Sequence, residues 1–361
     1  SVSVPAADLQ ALGNGDLTIT ASVTNANGNT GSGTRDITID ANLPGLRVDT
    51  VAGDDIVNSI EHGQALVITG GSSGLNAGVP LTITINGTAY SATVQADGSW
   101  SVGIPAANVS AWPAGALTVE VDGQSSAGNP VGVSHPFTVD LTAVAISIST
   151  VASDDVINAA EKGTNLTLSG STSGIESGQT VTVTFGGKTY TASVAANGSW
   201  SVNVPAADLA GLGQANYTLS ATATNGVGNS VSNTANLLVD TALPTVTINT
   251  VAGDDVVNII EHGQALVITG SSSDLAAGSN VTLTINGQTY VAAVLADGSW
   301  SVGVPAADVT ALGSGPQTIT ATITDIAGNS DDASRTVTVN LTAPTIGINT
   351  IADDDVINAT E

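Results

Sequence analysis

The stretch LTITINGTAYSATV at residues 81–94 decides the fold, because it describes two short strands joined by a tight turn. On both sides of Asn86-Gly87, apolar residues alternate with polar ones, which is typical of strands with one buried face. Asn-Gly supplies the two positive φ angles of a two-residue hairpin turn. Later copies of the stretch carry Gly186-Gly187 and Asn286-Gly287 at the same point. The sequence therefore predicts β-hairpins at a regular interval.

This interval is one hundred residues, and no insertion interrupts it. Trp100, Trp200 and Trp300 each lie within GSWSV. The same spacing separates Tyr90, Tyr190 and Tyr290, and it separates Pro5, Pro105, Pro205 and Pro305. Such self-similarity indicates an array of repeated structural units.

One unit contains seven strand-like segments, rich in β-branched residues and separated by turn residues such as Asp97-Gly98. They are residues 46–51, 65–70, 81–86, 88–94, 99–104, 116–121 and 132–140. Seven short strands in about 100 residues are typical of an immunoglobulin-like sandwich. We therefore predict an all-β fold of tandem immunoglobulin-like, seven-stranded β-sandwiches arranged as an extended rod. PAADL is expected to form one short helical turn, and Trp100 is expected to face the core.

The period also predicts the domain boundaries. Complete domains are expected at 45–144, 145–244 and 245–344, with short linkers that make neighbouring domains abut. Residues 1–44 are expected to be the C-terminal part of a truncated domain, and residues 345–361 the N-terminal strand of another. Because residue 1 falls within a repeat, we expect a fragment that is open at both ends and has no signal peptide.

The charge balance excludes several classes of function. The 361 residues include 31 acidic and 5 basic side chains, for a net charge of −26. Such a chain repels nucleic acid and anionic lipid. The absence of cysteine excludes disulfides and thiolate metal sites, and three histidines leave little scope for zinc or imidazole catalysis. No apolar run approaches the length of a membrane span.

The acidic residues cluster in VAGDDIVNSIEHG at residues 51–63, and the cluster recurs at 151, 251 and 351. In a sandwich, this loop and the end of the last strand are expected at the same pole, facing the next domain. The expected metal ligands are Asp54, Asp55, Asn58, Glu61 and Asp140; Asp154, Asp155, Asn158, Glu161 and Asp240; Asp254, Asp255, Asn258 and Glu261; Asp325; and Asp354 and Asp355.

Carboxylates in contact repel one another by roughly 1 kcal/mol per pair in water, and a hard dication removes this cost. Calcium accepts six to eight oxygen ligands in flexible geometry, so it is the expected ion. The alternative is a solvated acidic loop in which Asp and Asn side chains only cap turns, as Asn58 would. TDIAGN, from Asp325 to Asn329, leaves a similar choice between a tight turn held by Asn and a contribution to the metal.

Taken together, DDVINA, GKTYTASVAANGSWSVNVPAADLAGL, TDIAGNS and the VDT strand ends resemble the immunoglobulin-like repeats of giant bacterial adhesins, the Bap-type and related type I-secreted surface proteins. The resemblance covers essentially the whole chain. It implies a stalk on a Gram-negative cell, exported unfolded, with calcium at the domain junctions on Asp54, Asp55, Glu61, Asp140 and their copies. Asn340, Asp353 and Ser125 depart from the repeated pattern.

The function expected from these features is a secreted, cell-surface structural spacer for cell adhesion or biofilm formation. It would be a monomeric rod stiffened by calcium, and the host-cell or surface receptor would be bound by a tip absent from this fragment. The alternative is a carbohydrate- or receptor-binding module that uses Trp112, which occurs in one copy only. We expect no enzymatic activity, because no catalytic dyad recurs and GSWSVG is not a nucleophile elbow.

Overall fold

The computed structural model describes residues 1–351, 355–357 and 359–360. We call residues 45–144 repeat 1, 145–244 repeat 2 and 245–344 repeat 3. The segment before repeat 1 holds α1 (Ala6–Gln10), β1 (Gly15–Thr24) and β2 (Thr30–Ile39). The described residues after repeat 3 lie in neither helix nor strand.

Each repeat has the same order of elements. Repeat 1 contains β3 (Gly45–Val48), β4 (Ile56–Asn58), β5 (Leu66–Ser73), β6 (Pro80–Ile85), β7 (Thr88–Thr93), β8 (Ser99–Ile104), α2 (Ala106–Val109), β9 (Gly115–Gln124) and β10 (Pro130–Asp140). Repeat 2 contains β11 (Ala145–Ile148), β12 (Val156–Ile157), α3 (Ala159–Lys162), β13 (Leu166–Ser173), β14 (Thr180–Phe185), β15 (Lys188–Ser193), β16 (Ser199–Val204), α4 (Ala206–Ala210), β17 (Ala215–Thr224) and β18 (Ser230–Val239).

Repeat 3 contains β19 (Thr245–Ile248), β20 (Val256–Asn258), β21 (Leu266–Ser273), β22 (Asn280–Ile285), β23 (Gln288–Ala293), β24 (Ser299–Val304), α5 (Ala306–Thr310), β25 (Gly315–Thr324) and β26 (Ser330–Asn340). At the position of α3, repeats 1 and 3 have the 3-10 turns Glu61–Gly63 and Glu261–Gly263.

The strands of a repeat form two sheets packed as a sandwich, which confirms the predicted all-β, immunoglobulin-like class. In repeat 1 the smaller sheet has the order β3-β5-β8 and the larger one β4-β10-β9-β6-β7. Repeats 2 and 3 have the same orders. The hairpin of β6 and β7 turns at Asn86 and Gly87, whose φ angles of 45° and 75° are those of the expected turn. The short helix predicted for PAADL forms in each repeat, with Asn108 in place of the aspartate in repeat 1.

The first strand differs from its prediction. We expected one strand at 46–51, but the chain leaves the small sheet after Val48 and joins the large sheet as β4, parallel to β10. The crossing passes through three positive φ angles, at Ala52, Gly53 and Asp55, which no continuous strand accommodates. Each repeat therefore has eight strands rather than seven.

The core lies between the sheets and is centred on the recurring tryptophan. Trp100 is 1% exposed, and its ring lies so close to Gly70 that a Cβ there would be 2.3 Å from it. Only glycine fits this position, and Gly170 and Gly270 repeat it. The three hydrophobic cores draw their residues from separate stretches, at 46–139, 144–239 and 246–341.

Candidate functional site at the repeat junctions

The two aspartates of each acidic cluster hold the turn before the strand that joins the large sheet. Asp54 Oδ1 accepts a hydrogen bond from Ile56 N at 3.0 Å, and Asp55 Oδ1 accepts one from Val51 N at 2.8 Å. Asp154, Asp155, Asp254 and Asp255 make the same contacts. Asp355 accepts from Ile351 N at 2.9 Å, and Asp354 lies outside the described residues.

The partner of the second aspartate differs among repeats. In repeat 1, His135 Nε2 lies 2.7 Å from Asp55 Oδ1, and in repeat 3, Arg335 donates to both oxygens of Asp255 at 2.7 and 2.5 Å. Burial raises the pKa of Asp55, but hydrogen bonds from His135 and Val51 outweigh it, and the pKa lies below its ordinary value. Hydrogen bonds from Arg335 lower the pKa of Asp255 to about 2. Repeat 2 has Ala235 at this position.

The asparagine and glutamate of each cluster cap the turn that follows. Asn158 Oδ1 accepts from the amides of Ala160 and Glu161, each at 3.0 Å, and Glu161 Oε2 accepts from Asn158 N at 3.0 Å. This reciprocal pair is a capping box. Asn58 with Glu61, and Asn258 with Glu261, make the same three hydrogen bonds.

The last strand of the sandwich ends beside this cap. Asp140 on β10 is in register with Asn58 on β4, and Asp140 Oδ1 accepts from Thr142 N at 2.8 Å. Hydrogen bonds from Thr142 hold the pKa of Asp140 below its ordinary value. Asp240 and Asn340 bind Ala242 N and Thr342 N in the same way.

The structure therefore separates the residues that we expected to meet at one point. Asp55 contacts His135, which precedes Asp140 by five residues on the same strand. By the strand register, Asp55 lies three residues before Asn58, the partner of Asp140, which corresponds to about 10 Å of extended chain. Asp54 and Asp55 thus lie just before the start of β4, whereas Asn58 and Asp140 lie where β4 and β10 end. Among the described residues, no three His, Asp or Glu side chains are grouped closely enough to hold a metal ion.

A buried asparagine from the next repeat joins the pole, where the sequence predicted either a turn held by this residue or a contribution to the metal. Asn229 is 0% exposed; its Oδ1 accepts from Ser59 N at 2.6 Å and its Nδ2 donates to Asp140 O at 3.2 Å. Asn329 is 4% exposed and makes the same bonds with Ala159 N at 2.8 Å and Asp240 O at 3.0 Å. The side chain thus binds both the capped turn and the strand end of the preceding repeat.

The loop of this asparagine is held by its first residue. Asn225 Oδ1 accepts from Asn229 N at 2.8 Å, and the two carboxylate oxygens of Asp325 accept from Asn329 N and Nδ2 at 2.8 and 2.9 Å. Gly228 has a φ of 90°, and a Cβ there would lie 2.8 Å from Asn58 Nδ2. Glycine before the asparagine therefore permits both the turn and the close approach of the two repeats.

The junction between repeats 2 and 3 contains an acidic cavity. Asp240, Asp274 and Asp325 line a space of about 290 Å³ together with Gln214 and Ser279. Sequence reasoning missed Asp274. The feature of the sequence that could have indicated Asp274 is a single substitution. Asp274, with a φ of 57°, replaces the glycine found at 74 and 174. At the junction of repeats 1 and 2, Asp140 and Glu176 are acidic, and Glu176 Oε2 accepts from Gly226 N at 2.9 Å.

Two further observations concern carbohydrate binding through Trp112 and membrane spanning. Trp112 is 3% exposed and packs edge-on against Phe137, with 5.3 Å between the ring centroids. Its ring is therefore not available for stacking on a sugar. Within the described residues, no helix is long and apolar enough to cross a bilayer.

Comparison with known proteins identifies the class to which these repeats belong. No family model matches the chain, and no curated protein matches it. Among solved structures, a Ca²⁺-stabilized adhesin that helps an Antarctic bacterium bind ice is 33% identical, covering 94% of this chain and 85% of that chain, with a TM-score of 0.42. A 1.5-MDa bacterial ice-binding adhesin is 34% identical, covering 83% of this chain and 98% of that chain, with a TM-score of 0.39.

A tetra-tandem repeat from the extending region of a large adhesion protein is 28% identical, covering 92% of this chain and 83% of that chain, with a TM-score of 0.37. The assignment depends on sequence identity of 33% and 34% over most of both chains in the first two cases. The chain belongs to the family of immunoglobulin-like repeats of large bacterial adhesins.

Proposed function

We propose that the chain is a structural, non-enzymatic segment of the stalk of a secreted bacterial cell-surface adhesin, acting in cell adhesion and biofilm formation. Repeats 1 to 3 would be successive domains of a monomeric rod, flanked by parts of two others at 1–44 and 345–361. A host-cell or surface receptor would be bound by another region of the protein. Type I secretion, as in the family that the sequence resembles, would deliver the stalk to the surface.

One observation carries this proposal: the same asparagine bridges successive repeats. Asn129 Nδ2 donates to Asp40 O at 2.9 Å, Asn229 to Asp140 O, and Asn329 to Asp240 O. Because each bridge is made to backbone groups at a defined place, it limits the angles that neighbouring repeats adopt. A series of such joints is suited to holding a separation between two points.

We further propose that calcium stiffens the junctions. Asp240, Asp274 and Asp325 would hold the ion between repeats 2 and 3, and Asp140 with Glu176 would do so between repeats 1 and 2. These donors are all oxygens, which suits calcium and its flexible coordination. Since these carboxylates are not yet grouped around a point, their side chains would turn toward the cavity on binding. The ion would cancel their repulsion and connect the two repeats.

The site would respond to the environment of a secreted stalk. Extracellular calcium modules bind with dissociation constants of about 10⁻⁴–10⁻³ M. Sites of this affinity would stay empty in the cytosol and fill outside the cell. Asp154 and Asp155 do not line the cavity, so we restrict the proposed ligands to the junction carboxylates.

Small-angle X-ray scattering of the chain, with calcium and with a chelator, tests the proposal. We expect chelation to shorten the maximum dimension and to broaden the distribution of distances. The matched variant Asp274→Gly with Asp325→Ser copies Gly74 and Ser125 of repeat 1. It should reduce calcium uptake in calorimetry and weaken the calcium effect on scattering. An unchanged scattering profile and no calcium uptake by the native chain would overturn the calcium proposal.

The alternative of a carbohydrate- or receptor-binding module loses its candidate residue. Trp112 packs in the core against Phe137, and its carbonyl oxygen lies 2.9 Å from His62 Nε2. Leu312 occupies the same place in repeat 3, with its carbonyl oxygen 3.0 Å from His262 Nε2. The tryptophan therefore substitutes for another core side chain, and no observation on this chain favours the alternative.

A further inference from the structure

The second part of the divided first strand and the last strand of every repeat lie side by side and run in the same direction. In repeat 1, Ile56, Val57 and Asn58 of β4 face Thr138, Val139 and Asp140 of β10. In repeat 2, β12 pairs with β18 over two residues, and in repeat 3, β20 pairs with β26 over three. The chain enters repeat 1 at β3, which belongs to the small sheet, continues into β4, and leaves the repeat directly after β10.

This topology determines how a repeat responds to tension. Pulling on the two ends of a repeat loads the short strand in the small sheet first, and then drives the paired strands past each other along their own axes. The hydrogen bonds between them are then loaded together, whereas a hairpin pulled at its open end loses its bonds one by one. Corresponding backbone bonds are present in all three repeats, from Thr138 N to Asp55 O at 2.9 Å, from Leu238 N to Asp155 O at 3.0 Å, and from Thr338 N to Asp255 O at 2.9 Å.

The side chains that cross this strand pair are not the same. In repeat 3, the Arg335 guanidinium on β26 binds both oxygens of Asp255, just before β20. It also donates to Ile248 O, at the end of β19, at 3.0 Å and to Thr250 Oγ1 at 3.1 Å. One side chain therefore connects the last strand to both parts of the divided first strand.

Repeats 1 and 2 make progressively fewer side-chain contacts from this position. His135 Nε2 of repeat 1 makes one contact with Asp55 Oδ1, at 2.7 Å. Ala235 of repeat 2 has no side-chain donor to offer to Asp155. In repeat 2 the last strand is instead hydrogen-bonded to the first through Asn233, whose Nδ2 donates to Ile146 O at 3.2 Å.

We propose that the residue at 135, 235 and 335 is a latch across the terminal strands, and that it sets the order in which the repeats open under tension. Repeat 2 opens first, repeat 1 next and repeat 3 last. Forced unfolding is governed by the unfolding rate, so a contact that must break before the strands slide acts on that rate directly. The inference goes beyond the proposed stalk and needs no calcium, because it depends only on the latch and the strand order.

Force spectroscopy on the full chain, in the presence of a chelator, tests the latch. The native chain should show three unfolding events at three force levels. Ala235→Arg places a guanidinium opposite Asp155, which already accepts from Val151 N as Asp255 accepts from Val251 N. The lowest force level should disappear, and the unfolding rate of repeat 2 at a given force should fall roughly tenfold, as expected for a charged hydrogen bond. Ala235→His, which copies repeat 1, should give a smaller change.

The reverse variant and two controls make the test specific. Arg335→Ala should replace the highest level by a second low one. Adding Asp155→Asn to Ala235→Arg should restore the lowest level, which distinguishes a latch from general stabilisation. Lys188→Ala removes an ion pair with Asp208 at 2.5 Å that joins β15 to α4, away from the terminal strands, and should leave all three levels unchanged.

Circular dichroism establishes that each variant is folded before it is pulled. Equal force levels in the native chain would overturn the proposal. So would an unchanged lowest level in both Ala235→Arg and Ala235→His, or an effect of Lys188→Ala as large as theirs.

Discussion

Repeats 1 and 3 share one framework and differ in what is attached to it. Both keep a tryptophan that is 1% exposed, at 100 and 300, against a glycine at 70 or 270. Yet repeat 3 has Asp274, Asp325 and Arg335 where repeat 1 has Gly74, Ser125 and His135. The apolar residues and glycines therefore determine the sandwich, while charged groups at its poles and edge vary without disturbing it. Junction and latch properties are consequently separable from the stability of the core.

The largest expected effect tests the tryptophan-centred core that repeats 1 and 3 share. Trp100→Ala and Trp300→Ala should each lower the free energy of unfolding of their own repeat by about 3–5 kcal/mol, because each leaves a cavity of the same shape. Hydrogen exchange of the core amides measures each repeat separately. Clearly unequal decreases in the free energy of unfolding would contradict this, because they would mean that the charged groups contribute to the stability of the core.

A smaller effect is expected at the junctions where repeats 1 and 3 contact the preceding unit. Asn329→Ala removes a buried side chain and leaves Ala159 N and Asp240 O without their partner, so it should weaken that junction by about 1–3 kcal/mol. Asn129→Ala should cost less, because its bonds to Asp40 O and Asn42 O are exposed. Faster hydrogen exchange at Ala159 reports the loss, with Ala160 N as an internal control. Equal effects of the two variants would contradict the difference in burial.

The smallest effect appears only in alkaline solution. Burial, and then the hydrogen bond to Asp308 at 2.8 Å, raise the pKa of Tyr290 from 10.0 to about 12. Tyr90 instead accepts from Asn108 Nδ2 at 2.8 Å. Since the folded pKa lies above the unfolded one, the stability contributed by Tyr290 is complete below pH 10 and is lost as the pH rises toward 12.

Ultraviolet titration of the native chain and of Asp308→Asn, which copies repeat 1, measures this pKa. The variant should lower the pKa of Tyr290 and reduce the alkaline loss of stability in repeat 3. An identical titration of both proteins would show that Asp308 has no influence on the hydroxyl.

Local patterns predicted the hairpins, the inward-facing tryptophans and the short helices, because each depends on neighbours within a few residues. The partners that lie far apart in the chain were not predictable in this way. Val57 pairs with Val139, and Asn229 binds Ser59 N, yet no local pattern connects these positions. The positive φ of Asp55 returns the chain to the large sheet, so Asn58 rather than Asp54 lies in register with Asp140, and the metal ligands expected there stay a prediction. A three-residue strand is too short to show a period of its own.

The bridging asparagine has a consequence for the length of the array. Asn129, Asn229 and Asn329 each bind the carbonyl of the residue 89 positions earlier. A gene that gains or loses whole units of one hundred codons keeps this offset at every new junction, wherever recombination occurs. The number of units can therefore change by whole repeats while every junction keeps the same contacts.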